Sequence, residues 1–426
     1  MFGVRNRLTK RVRGSNISRE VTMKYALILG DGMGDYPVPA LGGRTPLEVA
    51  DKPCMDMLAK TGRVGLVKTV PDGYKPGSDV ANLGALGYDA SACYTGRSPL
   101  EALSIGIDMK EDDVAVRMNL VTLSDEEDFA EKTMKDYSAG EITTPEAREL
   151  VEYLGRELGS DRFAFYPGVS YRHCLIIAHG STDMQLTPPH DISGKKIGDY
   201  LPKGDLSAEL TELVRRSNEL LENHPVNKKR VLSGQNPANS VWFWGQGTRP
   251  ALENFEKRYG LKGGMVSAVD LLKGIAIGAG MKSVDVEGAT GTLSTNFAGK
   301  AKAACDLLDG GCDFVFVHLE APDECGHQGD VEGKVRAIEC VDKKILQPIY
   351  DHLKAGGEEF ALMVMPDHFT PVSILTHSRE PVPFLMYSSS RTLGDGRPYS
   401  EKSAAESGVY YDKPWELVRE FFSLGR

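Results

Sequence analysis

A strand-like apolar run occurs three times in this chain, and each time a loop rich in acidic or histidine residues follows at once. The three pairs are 24–30 before Asp31, 313–319 before 320–323, and 360–365 before 366–368. Short runs of this kind are typical of strands buried in a parallel sheet. Ligands of open α/β sheets bind outside the carboxyl ends of the strands, so we expect the three loops to converge. Because more than half of the chain separates the first run from the other two, one domain is predicted to be interrupted by another.

Seven residues near the two ends carry the candidate chemistry: Asp31, Ser78, Asp323, His327, Asp367, His368 and His377. Asp323 and His327 are spaced i and i+4, so they share one face if the segment is helical, and a loop would also permit joint chelation. Consecutive residues such as Asp367 and His368 can point to two different ions. Mixed oxygen and imidazole ligands suit Mn²⁺ or Zn²⁺ better than Mg²⁺ or Ca²⁺, although Mg²⁺ stays open. The set therefore predicts two divalent cations beside a hydroxyl nucleophile.

Ser78 has two interpretations at this level. It comes directly before a predicted helix at 79–86, where a serine is usually a structural cap. A helix N-terminus also stabilises anions, and a metal-bound serine hydroxyl there could attack phosphorus. Each histidine likewise has a simpler interpretation as an exposed or hydrogen-bonded loop residue.

Composition narrows the class of protein. A chain of 426 residues and 46.4 kDa predicts two domains, and 41% hydrophobic with 26% charged residues is ordinary for a soluble globular protein. The net charge of -10 and the pI near 5.5 argue against a nucleic-acid binder. Seven cysteines without CxxC spacing predict reduced thiols and a cytoplasmic location. No apolar run approaches the ~20 residues needed to span a bilayer, so no membrane partner is expected.

The chain divides into a leader and two domains. Residues 1–22 are basic and acid-poor before Glu20, and we interpret them as a disordered tail or upstream start rather than a transit peptide. Residues 23–111 and 248–426 are predicted to form the discontinuous catalytic domain. Residues 112–247 are predicted to form an α+β insert.

Within these domains, helices are predicted at 145–158, 206–223, 299–308 and 331–353, and a strand at 173–178. The segment 241–245 is interpreted as packing near the return hinge. We see no internal repeat.

Several motifs carry a family resemblance: ILGDGMGD, PGSDVANLGALGYD, YTGRSPLEA, HLEAPDECGHQGD, and MPDHFTPV followed by THSREPVPF. From Met23 to the C-terminus the chain resembles archaeal-type cofactor-independent (2,3-bisphosphoglycerate-independent) phosphoglycerate mutases of the alkaline phosphatase superfamily. The resemblance implies an alkaline-phosphatase-like, mostly parallel sheet sandwiched by helices, with an inserted substrate-capping domain. It also implies one metal at Asp31, Ser78, Asp367 and His368, and a second at Asp323, His327 and His377. Ser78 would be transiently phosphorylated, with no bisphosphoglycerate cofactor.

The implied reaction interconverts 3-phosphoglycerate and 2-phosphoglycerate, so the expected partner is a small phosphorylated metabolite. The expected substrate contacts are Arg97, Arg172, His173, His190 and Lys273, with Asp191 as a candidate base on the glycerate hydroxyl. A monomer or a small homo-oligomer is expected.

Other functions remain open from the sequence. A homoserine kinase-like enzyme, a phosphatase or a phosphopentomutase could use the same metal site, because that site does not define the acceptor. The chain has no GxxxxGK[ST] loop, which argues against a P-loop kinase. A non-catalytic, metal-stabilised binding protein is the remaining alternative, and Ser78 argues against it.

Overall fold

The strands were assigned in a computed structural model that describes residues 23–425, so the predictions for residues 1–22 lie outside the described part. They are β1 (Lys24–Gly30), β2 (Arg63–Val67), β3 (Val114–Leu123), β4 (Met134–Asp136), β5 (Phe163–Val169), β6 (Arg172–Ile177), β7 (Met184–Gln185), β8 (Lys203–Gly204), β9 (Ser240–Thr248), β10 (Gly263–Val266), β11 (Lys282–Val284), β12 (Phe314–Leu319), β13 (Phe360–Met365), β14 (Val382–Ser388) and β15 (Tyr410–Tyr411).

The α-helices of the same residues are α1 (Pro46–Val49), α2 (Pro53–Ala59), α3 (Ser78–Ala85), α4 (Ala90–Cys93), α5 (Arg97–Ser104), α6 (Thr144–Leu158), α7 (Ser207–Glu222), α8 (Pro225–Leu232), α9 (Phe255–Tyr259), α10 (Asp270–Gly278), α11 (Phe297–Asp309), α12 (Ala321–Gln328), α13 (Val331–Cys340), α14 (Gln347–Gly356), α15 (Glu401–Glu406) and α16 (Pro414–Ser423). Single 3₁₀ turns occur at Pro39–Leu41, Phe129–Glu131, Pro189–Ile192 and Gly198–Tyr200. No helix of residues 23–425 is both long enough and apolar enough to cross a membrane.

The central sheet has eight strands in the order β11-β10-β12-β1-β13-β14-β2-β15. β1 lies between β12 and β13 and pairs with both of them. The pairing is parallel, as the three apolar runs predicted. β14 runs antiparallel to β13 and β2, so the sheet is mostly parallel rather than wholly so. The predicted α/β class with a mostly parallel sheet is confirmed.

Helices cover both faces of this sheet. Alternate residues of β1 face opposite sides: Leu27 and Leu29 pack in a core with α3, α10 and α16, whereas Ala26 and Ile28 pack in a core with α2, α11 and α14. Both faces of the strand are therefore apolar, which explains why its sequence is a continuous run instead of an alternating pattern.

A second sheet lies between the two parts of the main one along the chain. In it β3 pairs antiparallel with β4, β6 and β9, and β5 pairs with β6. One face packs against α6 and α7 in a core of its own. The helices predicted at 145–158 and 206–223 are observed as α6 and α7 within one residue at each end. The segment 241–245, interpreted as packing near the return hinge, lies in β9, and its residues Val241, Trp242 and Phe243 are buried in this core.

The helix predicted at 331–353 is interrupted. α13 and α14 are separated by a π-helical segment at Val341–Leu346. In that segment the buried Asp342 carboxylate accepts hydrogen bonds from the backbone nitrogens of Cys54 and Met55, at 3.1 and 2.7 Å. Asp342 thereby binds the first turn of α2, a contact that helical spacing does not reveal.

Candidate metal centre

The loops after β1, β12 and β13 meet because these strands are neighbours and run in the same direction. Asp31 follows β1, and Asp367 and His368 follow β13. A single residue separates β12 from α12, which carries Asp323 and His327. The helical interpretation of the i and i+4 spacing is therefore confirmed. The predicted convergence of the three loops is confirmed by the distances between their side chains.

One group of side chains surrounds His368, whose ring is fully buried. Its Nε2 atom lies 3.2 Å from Ser78 Oγ, 3.4 Å from Asp31 Oδ1 and 3.5 Å from Asp367 Oδ2. Asp367 is held by the backbone nitrogens of Gly32 and His368, which donate to its Oδ1 at 3.1 and 2.9 Å. Two carboxylates, one imidazole and one hydroxyl thus point into the same small volume.

A second group adjoins the first. Asp323 Oδ2 lies 3.3 Å from His327 Nε2, and Asp323 Oδ1 lies 3.3 Å from His377 Nε2. The two Nε2 atoms of His327 and His377 are 2.9 Å apart. The His377 ring stacks on the His368 ring at a centroid distance of 3.9 Å, which links the two groups.

Ser78 is not a helix cap. The N-cap of α3 is Gly77, and Ser78 is the first residue of the helix. Its Oγ lies 3.4 Å from Asp31 Oδ2 as well as near His368. The Asn82 side-chain amide donates to both the Ser78 carbonyl and Asp367 Oδ2, each at 2.8 Å, which ties the start of α3 to the loop after β13. The structural-cap interpretation is wrong, and the hydroxyl faces the carboxylates.

Electrostatics in this cluster favour a cation. Burial, together with the nearby charges of Asp367, Asp323 and Glu320, raises the pKa of Asp31 well above its usual value. Burial has the same tendency at Asp323, but hydrogen bonds with His327 and His377 hold the pKa of that carboxyl below its usual range. The bond with Asp323 raises the pKa of His327 to about 9. Like charges gathered in a low-dielectric site are costly unless a positive charge lies among them.

The donor set fits divalent metals. Asp31 Oδ1 is buried and has no hydrogen-bond partner among residues 23–425, as expected of an atom reserved for an ion. Potential ligand atoms lie within 4.8 Å of one another in two sets: Asp31, Asp367 and His368, and Asp323, His368 and His377. His368 belongs to both sets, whereas the family resemblance assigns it to one metal only. The division of ligands between two ions stays a prediction.

Sequence reasoning missed residues that hold these ligands in place. His318, inside the apolar run of β12, is fully buried, and its Nε2 lies 2.8 Å from Asp31 Oδ2. Leu375 has a φ of +58°, unusual for a bulky residue, and its carbonyl lies 3.0 Å from His327 Nδ1. The sequence signal for His318 was a histidine in an otherwise apolar strand. The sequence around Leu375 gives no such signal.

The expected pair Arg172 and His173 opens β6, and both residues line one cavity. In the β3–β6 register Asn119 is opposite Arg172, and Met118, a core residue of the second sheet, is opposite His173. Burial lowers the pKa of His173 to about 3, and its Nδ1 accepts a hydrogen bond from the backbone of Gly168 at 3.0 Å. Arg172 is exposed, whereas the Nε2 atom of His173 is buried and has no hydrogen-bond partner among residues 23–425, so both stay candidates for ligand contact.

A cavity lies between α5 and the second sheet, and Glu101, Arg117, Asn119 and Arg172 are among its lining residues. Arg117 was not anticipated. Its Nε donates to Glu101 Oε2 at 2.7 Å, and its guanidinium lies 4.4 Å from the centre of the Trp244 ring. Arg97 Nε donates to Glu101 Oε1 at 2.9 Å. Burial raises the pKa of Glu320, which lies beside the candidate metal ligands, and the positive charge of Arg97 opposes that rise.

The other residues expected to act on the substrate are His190, Asp191 and Lys273. His190 packs 5.3 Å from the Trp244 ring, and its Nε2 is 3.6 Å from Asp191 Oδ1 on the exposed surface. Lys273 Nζ binds Asp285 Oδ1 at 2.6 Å and lies 3.8 Å from Asp270 Oδ1, so it has carboxylate partners of its own. The roles of these residues stay predictions.

A hydroxyl, carboxylates and imidazoles gathered at the carboxyl edge of a mostly parallel sheet are typical of metal-binding α/β enzymes. Comparisons with known proteins name the family. Residues 59–227 match the family model described as 2,3-bisphosphoglycerate-independent phosphoglycerate mutase. The chain is 49% identical to the protein of that name from Methanosarcina barkeri over 93% of this chain and 98% of the relative. It therefore belongs to the family of 2,3-bisphosphoglycerate-independent phosphoglycerate mutases.

One more relative and two solved structures are also similar to this chain. A probable 2,3-bisphosphoglycerate-independent phosphoglycerate mutase from Geobacter sulfurreducens is 46% identical over 93% of this chain and 98% of its own length. A structure from Pyrococcus horikoshii superimposes with a TM-score of 0.79 at 31% identity, over 95% of this chain and 97% of that one. The cofactor-independent phosphoglycerate mutase from Thermoplasma acidophilum gives 0.68 at 25% identity, over 95% and 100%.

Proposed function

We propose that this enzyme interconverts 3-phosphoglycerate and 2-phosphoglycerate through a phosphoserine at Ser78. The observation that carries the proposal is the position of Ser78 Oγ, 3.2 Å from His368 Nε2 and 3.4 Å from Asp31 Oδ2. Relatives that align over almost the whole chain are named phosphoglycerate mutases, which supports the choice of substrate.

Two divalent cations, Mn²⁺ or Zn²⁺ with Mg²⁺ as an alternative, are proposed to bind this site. Asp31, Ser78, Asp367 and His368 would hold one, and Asp323, His327 and His377 the other. When bound, such ions neutralise phosphate charge and lower the pKa of a coordinated hydroxyl.

Ser78 then attacks the phosphorus of 3-phosphoglycerate. The bond from Ser78 Oγ to phosphorus forms while the bond from phosphorus to the 3-oxygen breaks, and the released 3-oxygen ends with the proton that Ser78 loses. The 2-oxygen of the same glycerate next bonds to phosphorus while the bond from phosphorus to Ser78 Oγ breaks. Asp191 is the candidate base that takes the proton of the 2-hydroxyl, and Ser78 Oγ ends the cycle with one proton. Because α3 begins at Ser78, the positive end of its dipole favours the phosphoryl group at this position.

Residues 112–247 are proposed to cap the glycerate while it reorients. Arg172 and Arg117 line the cavity between α5 and the second sheet, and Arg97 lies next to them on Glu101. Guanidinium groups bind carboxylates in bidentate fashion, which suits them to hold the glycerate after its phosphoryl group has left. Exclusion of water at that stage prevents hydrolysis of the phosphoserine.

The cytoplasm is the proposed location, on the strength of the thiols. All seven cysteines are unpaired. Free thiols are the usual state in a reducing compartment.

Phosphorus NMR tests the reaction. Purified enzyme with Mn²⁺ and 3-phosphoglycerate, without nucleotide or bisphosphoglycerate, should form 2-phosphoglycerate. Ser78→Ala should keep the native circular dichroism spectrum and lose turnover. Full activity of that variant would rule out the phosphoserine route. Formation of O-phosphohomoserine from homoserine and ATP, without mutase activity, would favour the kinase-like alternative instead.

A further inference from the structure

His318 connects the buried interior of the main sheet to the candidate metal site. It lies on β12, where it is paired with Leu29 of β1. Leu29 precedes Asp31 by two residues. The side chain of His318 is fully buried, and its Nε2 is 2.8 Å from Asp31 Oδ2. On the other side of the ring, Nδ1 is 3.2 Å from Ser267 Oγ. Both ring nitrogens of a residue inside an apolar strand are therefore engaged.

The pattern of donors determines which nitrogen carries the proton. With a cation bound, Asp31 is an ionised carboxylate, which only accepts hydrogen bonds, so Nε2–H of His318 donates to Asp31. In a neutral ring Nδ1 must then accept, and the Ser267 hydroxyl donates to it. Ser267 Oγ in turn accepts from the backbone nitrogen of Val269 at 3.0 Å. This chain of bonds orients the imidazole towards Asp31.

The backbone of His318 is held as well. The buried Lys300 ammonium donates to its carbonyl at 3.3 Å, and the backbone nitrogen of Asp31 donates to the next carbonyl along β12, that of Leu319, at 2.9 Å. His318 can therefore move little relative to Asp31. The hydrogen bond from His318 uses Oδ2 of Asp31. The other oxygen, Oδ1, is directed towards His368 and lies 3.4 Å from its Nε2.

We propose that His318 is a positioning residue that orients the Asp31 carboxylate for the cation held by Asp31, Ser78, Asp367 and His368. This inference rests on the metal site of the proposed function. It assigns to His318 no contact with substrate. Residues that hydrogen-bond metal ligands generally contribute about 10- to 100-fold to metal affinity.

Binding of Mn²⁺ to the whole protein, followed by electron paramagnetic resonance of the free ion and by calorimetry, tests the proposal. His318→Leu should weaken one of two Mn²⁺ sites by about 10- to 100-fold and leave the other within about threefold. His318→Gln can place an N–H near the position of Nε2 and should restore most of the affinity. His318→Asn is too short to do so and should behave like the leucine variant.

His352 provides a matched control. Its Nε2 lies 2.9 Å from Asp309 Oδ1, a similar histidine–carboxylate pair on a partly exposed helix away from the cluster. His352→Leu should leave both Mn²⁺ affinities unchanged. Unchanged affinity in His318→Leu, or an equal loss in the Gln and Asn variants, would overturn the proposal. If the leucine variant does not fold, the Gln and Asn pair decides the question.

Mutase activity is measured on the same wild-type sample. Two Mn²⁺ sites, one of which depends on His318, without conversion of 3-phosphoglycerate, would refute the proposed function and leave the role of His318 standing. Conversion of 3-phosphoglycerate together with normal Mn²⁺ binding by His318→Leu would support the proposed function and overturn the role of His318.

Discussion

Replacement of Lys334 by methionine should destabilise the protein far more than removal of a surface lysine. The Lys334 side chain is wholly buried on α13. Its ammonium donates to Asp35 Oδ2 at 2.7 Å and to the carbonyls of Thr370 and Gly34 at 2.8 and 3.1 Å. It thus joins the loop after β1 to the loop after β13, the two loops that carry Asp31 and His368.

The size of the stability loss depends on the Asp35 carboxylate, which Lys334→Met leaves buried without its cation. Asp35 is as buried as Lys334, with 0% of each side chain exposed, so solvent cannot screen the stranded carboxylate. Breaking a buried pair of this kind costs about 3–5 kcal/mol. The backbone nitrogens of Tyr36 and Val372 still donate to Asp35, at 2.8 and 3.2 Å, which favours the lower end of that range.

Urea unfolding followed by circular dichroism measures the change in the free energy of unfolding. Lys302→Met is the control, because its pair with Asp306 has side chains that are 74% and 59% exposed and should contribute less than about 1 kcal/mol. Adding Asp35→Asn to Lys334→Met removes the stranded charge and should recover part of the loss. A loss below about 1 kcal/mol for Lys334→Met, or one equal to that of Lys302→Met, would refute the reasoning.

Two further predictions concern the metal centre. Gly32→Ala should lower Mn²⁺ affinity at least tenfold in calorimetry, because φ is +59° and the new Cβ would lie 2.6 Å from Asp323 Oδ1 and 2.8 Å from its Cα. Gly43→Ala, with φ of +76° and open space around the Cβ, should leave that affinity intact and cost only about 1–2 kcal/mol of stability; equal affinities in the two variants would contradict the clash. Mn²⁺ binding at pH 7 should release a proton from His327, since its pKa is raised to about 9 in the metal-free protein and a ligating imidazole must be neutral. Calorimetry in buffers of different ionisation enthalpy measures this release, which should vanish as the pH rises past about 9; no buffer dependence at pH 7 would refute it.

Local patterns were enough to predict the strands that build the site. β1 and β13 begin and end where their apolar runs do, because a strand covered on both faces needs apolar residues at every position. The same logic placed Asp31 and Asp367 at adjacent strand ends. By contrast, the sequence analysis predicted packing but no strand at 241–245. This segment becomes part of β9 only through its pairing with β3.

Sequence alone thus determined the α/β class, the positions of β1, β12 and β13 along the chain and the set of candidate metal ligands, because these depend on residue type and spacing within short windows. Tertiary structure decided that Ser78 Oγ faces Asp31 instead of capping α3, that His318 reaches Asp31, and that Lys334 joins two loops. Partners in these contacts are hundreds of residues apart for His318 and Lys334. Their meeting depends on which strands become neighbours and how the helices pack against them, and no short window of sequence records either.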